Sequence, residues 1–358
     1  MHTKDIILRS TTIKIVLVLV SLSILLDYLD FGSTGIFISS AIALIFISKL
    51  LGHATEELAK HTGMTLGALI NLTLGNLTEL IILYFALKAG LIDVVKAALT
   101  GSIIANLLFI LGISILFGGI KYESLKFNIE NASMNSTMLT LAIITLAIPT
   151  AFSFQAIDAA GLKIDIEQIS LVSAMILFAI YLCSILFSAY THKHLFVERY
   201  QKEIPAWSIK TTLFMLLGAA VAGAYMSELL VRSLMPFAQT FNLTDTFMGV
   251  IFLGLIGNVP EQGAAISAAM KNKVDISLGI SAGSSSQIAL FVAPILLFLS
   301  VPLGTPMTLV FSTMELVAIF ASVLIYDVIA TDGKFVWFEG VVFLSIYLLF
   351  GYVFLLIQ

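Results

Sequence analysis

Two carboxylates stand where water is scarce. Glu79 lies in the apolar run LINLTLGNLTELIILYFAL (69–87) and Glu261 in a second such run. Each ends the same five-residue pattern, GNLTE (75–79) and GNVPE (257–261). An isolated carboxylate at bilayer depth costs roughly 3 kcal/mol or more, which marks it as functional by default. Gly75 and Gly257 stand one helical turn before each Glu, and Pro260 removes a backbone donor from the second motif. Broken helices at the membrane midplane offer unwound carbonyls to a cation. Asn76 and Asn258 fall three residues before each Glu, on its helical face. Carboxylates, carbonyls and amide oxygens make a hard oxygen site of the kind calcium takes. Zinc or copper would want His or Cys, and neither motif has one.

Charge then suggests a reaction. Two carboxylates about 6 Å apart repel by roughly 3 kcal/mol at an effective dielectric of ~20. Desolvation acts in the same direction, so the empty pair is expected to take up protons near neutral pH. One divalent cation neutralises the pair, and so do two protons. The two loads exclude each other. A neutral site can change its facing across the membrane where a bare dianion cannot, which is a recipe for exchanging a divalent cation for protons.

The two motifs belong to a longer repeat at an offset of 182 residues. Each is followed, 26 residues after its Gly, by Gly-Ser: Gly101-Ser102 and Gly283-Ser284. A side-chain amide comes next, Asn106 in the first half and Gln287 in the second. The candidate cation- and proton-binding set is therefore Glu79, Glu261, Gly75, Gly257, Asn76, Asn258, Asn106 and Gln287, with Glu79 and Glu261 as the metal ligands. Pro260 and the two Gly-Ser pairs are read as helix-break and packing positions, since small residues let membrane helices approach closely. A weaker echo, T-E-x-L (55–58) and S-E-x-L (227–230), offers Glu56 and Glu228 for a gate or proton path, together with Glu315. Glu57, Glu339 and Asp327 are read as interfacial, His192 and His194 as solvated loop residues, and Cys183 as a small buried hydrophobe. A single cysteine excludes an intrachain disulfide and a cysteine-based metal site.

The rest of the chain must position these residues inside a bilayer. Of its 358 residues 59% are hydrophobic and 11% charged, with a mean hydropathy of +1.06. Soluble domains carry about 25% charged residues. The class is an all-α polytopic membrane protein; a transmembrane β-barrel would show short alternating segments, which are absent. The net charge of −4 says little by itself. Eleven apolar runs lie near 12–29, 34–58, 64–88, 91–118, 132–153, 166–190, 208–234, 244–270, 274–300, 306–328 and 335–357. The first follows Lys4 and Arg9 as a signal peptide would, but no A-x-A cleavage site follows it, so it reads as a retained span. With the N-terminus inside, thirteen Lys and Arg fall on inner segments and four on outer ones, which satisfies the positive-inside rule. The N-terminus is then in and the C-terminus out.

The polar loop THKHLFVERYQKEIPAW (191–207) divides the chain nearly in half. The expected organisation is a tail and first helix over 1–30, a five-helix repeat over 31–190, a cytoplasmic linker over 191–207 and a second five-helix repeat over 208–358. Five is odd, so the two repeats run with inverted topology, and inverted repeats place a substrate site near the midplane. Short loops lean towards a prokaryotic plasma membrane and leave an organelle membrane open.

The stretches 75–112 and 257–294 resemble the two signature repeats of the cation/proton exchanger family within the calcium/cation antiporters, and the resemblance covers nearly the whole chain. It implies an eleven-span antiporter that expels calcium against protons, with the family's central glutamates at Glu79 and Glu261 and its amide positions at Asn106 and Gln287. Sodium-coupled relatives put Thr-Ser before the first Glu and an Asp where Gln287 stands, so Asn76, Asn258 and Gln287 favour protons as the coupling ion. Two features depart from the pattern. Gln262 replaces the His that usually follows the second Glu, and the central loop carries more base than acid, which argues against a calcium sensor there.

Other readings stay open at this level: a sodium-coupled or broader divalent exchanger, manganese included, or a channel. An intramembrane protease is disfavoured, because paired catalytic Asp motifs and HExxH are lacking. Calcium is expected as transported substrate, with no cofactor and no nucleic acid. Protons and the bilayer are the other partners, and a homo-oligomer is left open.

Overall fold

The computed structural model describes residues 2–62, 64–154, 165–187 and 205–356. Most of the 191–207 linker, including His192 and His194, lies outside them. The described residues are almost entirely helical.

The first half begins with α1 (His2–Tyr28) and α2 (Ser33–Thr62). The expected third span is not one helix. It is α3 (Met64–Leu74), a turn at Gly75 and Asn76, and α4 (Leu77–Lys88). After α5 (Ile92–Ile104) the chain widens into a π-helical segment, Ala105–Ile110, and continues as α6 (Leu111–Lys121). A two-residue strand β1 (Leu125–Lys126) leads to α7 (Ile129–Ser153) and α8 (Ile166–Leu186).

The second half opens with α9 (Ile209–Thr240), capped by Ser208, whose Oγ accepts from Thr211 N at 3.2 Å. Then come α10 (Asp245–Phe247), a π-helical segment Met248–Leu253, α11 (Gly254–Ile256) and α12 (Val259–Ala269). Between Asp245–Ile256 and Val259–Ala269 the axis bends by 61°. Next are α13 (Val274–Gln287), a π-helical segment Ile288–Val292 and α14 (Ala293–Ser300). Last are α15 (Thr313–Ala330), strand β2 (Lys334–Phe335) and α16 (Trp337–Leu356).

The sequence offset of 182 returns as a structural one. The turn at Gly75–Asn76 recurs at Gly257–Asn258, and the start of α4 at Leu77 recurs at Val259. Gly90 ends the turn after α4 with φ +77°, and its counterpart Asn272 takes φ +59°. Gly and Asn are the residues that enter this left-handed region at least cost. Helices α5 and α13 start at Ile92 and Val274, again 182 residues apart. Each passes into a π-helical segment at its amide position.

Among the described residues eight helices are long and apolar enough to cross a membrane, or nine if the bent pair counts as one span. The expected runs 64–88 and 306–328 are not continuous helices: the first is broken at Gly75–Asn76, and in the second helix starts only at Thr313. Burial ranks the spans. It covers 72% of the apolar window in 92–121 and also in 274–300, but 11% in 11–28. The spans 92–121 and 274–300 are the most buried of these helices, and α1 is largely exposed over 11–28. Cys183, expected to be buried, is exposed on α8, where an apolar surround suits it equally well.

The chain forms two compact units, and each draws on both halves of the sequence. One comprises 1–89, 182–243 and 256–260, in which α2 packs along α9. The other comprises 90–181, 244–255 and 261–358, in which α5 packs on Met248–Leu253 and α6 on α16.

Candidate functional site

Glu79 sits in the first turn of α4, directly after the break. Asn76 is the N-cap, with φ −93° and ψ 21°, and helical bonding starts there, Leu80 N donating to Asn76 O at 2.9 Å. Its side chain makes no cap hydrogen bond to the helix. The Glu79 side chain is 2% exposed. First-turn N–H groups and the helix dipole favour negative charge at that place, which offsets part of the cost of burying it.

Glu261 occupies the matching position in the first turn of α12, half-buried. Pro260 plays a different part from the one expected of it. The helix has already stopped at Ile256, and Pro260 is the second residue of α12, where an N–H would have no intrahelical partner. Gly257 and Asn258 make the break, and Pro260 starts the next helix. Gln262 then reaches back across the bend, Nε2 donating to the Leu255 carbonyl at 3.2 Å. That carbonyl lies near the end of the interrupted helix, so Gln262 ties the two sides of the break together.

The first unit brings parts of both motifs together. A Cβ placed on Gly257 would lie 3.1 Å from Glu79 Cβ and 3.2 Å from its Cα. A larger residue at 257 would press on the α4 backbone, which would have to give by a few tenths of an ångström. Ser48 of α2, buried, points its Oγ at the Gly257 carbonyl, 3.4 Å away. Asn258 is 1% exposed. Sequence reasoning missed Ser48, because a lone Ser in an apolar helix usually satisfies itself on its own backbone, as Ser40 does on Ile36 O at 2.7 Å.

In the second unit the amide positions behave unequally. Asn106 is the second residue of the π-helical segment, 1% exposed, and its Nδ2 donates to Ser284 Oγ at 3.1 Å. Its Oδ1 is buried with no hydrogen-bond partner among the described residues, an oxygen suited to a cation. Gln287, half-buried, ends α13 just before the second π-helical segment. π-Helical turns of this kind are frequent at functional sites. Gly101 and Ser102 are packing residues: a Cβ on Gly101 would overlap the Val250 backbone, and Ser102 Oγ donates to Gly254 O at 3.3 Å. At Gly283 no such approach occurs, since a Cβ there would meet nothing within 4 Å among the described residues.

The weaker echo looks different in three dimensions. Glu56 and Glu228 are exposed, Glu56 lying 3.7 Å from His53 Nδ1. The residues beside them, Thr55 and Ser227, are buried, and both hydroxyls are without a hydrogen-bond partner among the described residues. Glu57, expected at an interface, is fully buried. Its carboxylate accepts from Ala206 N at 2.6 Å and Trp207 N at 3.0 Å and pairs with Lys60 at 3.1 Å. Glu315 closes a capping box with Ser312 at the start of α15. Asp327 accepts from Ser136 at 2.6 Å, and Glu339 Oε2 from Val336 N at 2.7 Å. Among the described residues no three His, Cys, Asp or Glu cluster together. The polar atoms at the motifs are oxygens and amides, donors for a hard cation or a proton.

Known proteins resemble this chain over most of its length. The sodium/calcium exchanger protein family profile matches residues 32–190 and 211–356. The Ca(2+)/H(+) antiporter of Aphanothece halophytica is 39% identical over 357 residues, 94% of each chain. The Ca(2+)/H(+) antiporter ChaA of Bacillus subtilis is 38% identical over 344 residues, covering 94% of this chain and 97% of the relative. The solved structure of native YfkE superposes with a TM-score of 0.83 at 35% identity, over 97% of this chain and 100% of that one.

Proposed function

The chain belongs to the sodium/calcium exchanger protein family, and from that premise we propose that it exports calcium across its membrane in exchange for protons. It is a multi-pass membrane transporter and not an enzyme. In this reading Glu79 and Glu261 act on one bound cation, with carbonyls of the two helix breaks and the Asn76, Asn258, Asn106 and Gln287 amides as further ligands. Two protons replace the calcium ion, and the site alternates its access between the two faces. Eleven spans, N-terminus in and C-terminus out, would give the repeats 31–190 and 208–358 inverted topology, with the first helix added outside them.

The observation that carries the reading is Glu79. A carboxylate 2% exposed stands in the first turn of a helix that starts mid-span, with the second motif's Gly257 packed against its backbone. Structural packing alone gives no reason to place an acid there.

Purified protein in sealed vesicles tests the proposal. Calcium should accumulate uphill when a pH gradient is imposed, and a sodium gradient should not drive it. Uphill uptake driven by sodium alone would replace the proton reading by a sodium-coupled one, and purely downhill flux would indicate a channel. Manganese in place of calcium measures how broad the selectivity is.

A further inference from the structure

The short ladder between β1 and β2 carries a feature that ion exchange does not use. Leu125 pairs with Phe335 and Lys126 with Lys334 in antiparallel register. Phe127 N donates to Gly333 O at 3.1 Å, so 127 and 333 form a hydrogen-bonded pair. The alternation of an antiparallel ladder then makes Lys126 and Lys334 a non-hydrogen-bonded pair, the type whose side chains stand closest. Like charges directly opposite are destabilising. The register cannot shift to relieve them. Leu125 and Phe335 are buried on the other face, Phe127 and Phe335 pack ring to ring at 4.5 Å, and a one-residue slip would turn the lysines inward.

Neighbouring acids offset the pair only in part: Glu339 attracts Lys334 electrostatically without a direct ion pair. Neither lysine forms an ion pair within 4.0 Å among the described residues. Asp275 accepts from Asn128 N at 2.7 Å and Glu339 from Val336 N at 2.7 Å, leaving Glu123 and Asp332 as the exposed acids nearest in sequence. The ladder lies where membrane-length helices end: α6 stops at Lys121, α7 begins at Ile129 and α16 at Trp337. Trp337 is 49% exposed and Phe338 60% exposed, large aromatic surfaces of the kind that settle at headgroup depth.

We propose that Lys126 and Lys334 together bind the phosphodiester of an anionic phospholipid headgroup at this end of the protein. One phosphate between the two ammonium groups converts a repulsive pair into a bridged one, with Trp337 and Phe338 against the adjoining acyl region. The site lies apart from the glutamate motifs, and its test does not depend on exchange.

The test is retention of phosphatidylglycerol against phosphatidylcholine by the full chain in detergent, read by native mass spectrometry. Wild type should prefer phosphatidylglycerol. Each lysine near an anionic surface contributes about 1 kcal/mol, so Lys126→Gln or Lys334→Gln should cut the preference about fivefold and the double variant about 25-fold. Lys126→Arg/Lys334→Arg should keep it, and Lys273→Gln, outside the ladder, should leave it unchanged. Phosphatidylglycerol should also raise the melting temperature of wild type more than that of the double variant. An unchanged preference in the double variant would overturn the proposal. So would equal protection by inorganic phosphate, which would make the site one for free anions.

Discussion

Glu79 is held by opposed forces: burial at 2% exposure penalises its charge, and the first turn of α4 favours it. A group balanced in this way responds to whatever cation arrives. Glu79→Gln and Glu261→Gln should each abolish calcium uptake while melting within a few degrees of wild type, because the amide copies the neutral carboxyl in shape. Retained exchange in either variant removes that residue from the mechanism. Gln262→Ala should lose the bond to Leu255 O, worth about 1 kcal/mol, and lower the melting temperature by a few degrees. Gln262→His should add a titrating group, so the pH–rate profile should gain a further inflection at about 6.5 beside that of the glutamate pair. Glu79 and Glu261 stand out in the sequence because an acid in an apolar run is costly, and each falls in the first turn of a helix after a break. Thr55 and Ser227 do not, since a hydroxyl in a membrane helix usually bonds its own backbone and its type carries no signal. The neighbouring Glu56 and Glu228 drew attention instead, although both are exposed.

At the scale of elements, the repeat was readable because Gly-Asn and Gly-Ser recur at fixed spacing, and the breaks at Gly75–Asn76 and Gly257–Asn258 followed from it. The π-helical segments were not readable, since an i→i+5 turn adds no composition of its own. The expected role of Pro260 missed for a related reason: proline breaks a helix interior but suits a helix start, and only the coordinates say which. The two Gly-Ser pairs look alike in sequence and differ in packing. Gly101→Ala drives a methyl into the Val250 backbone and should destabilise the protein by about 3 kcal/mol or more. Gly283→Ala meets open space and should be neutral or gain up to about 1 kcal/mol from helix propensity. Thermal melting in detergent separates the two, and equal losses would contradict the packing assigned here. Glu57→Ala should cost roughly 1–3 kcal/mol by the same measurement, because it strips the acceptor from two backbone donors just before α9.

At the scale of the whole molecule, composition alone shows a polytopic helical protein, because water cannot satisfy so much apolar surface. The compact units could not be read from the sequence, since each collects segments far apart along the chain. In the proposed reading calcium and protons compete for Glu79 and Glu261, and that competition is its centre. Calcium binding to the purified protein, titrated calorimetrically in buffers of different ionisation enthalpy, counts the protons displaced. The account predicts about two protons released per calcium bound, at a pH where the empty site is protonated, and loss of this coupled release in Glu79→Gln and in Glu261→Gln. Calcium binding by wild type with no proton release at any pH would contradict it.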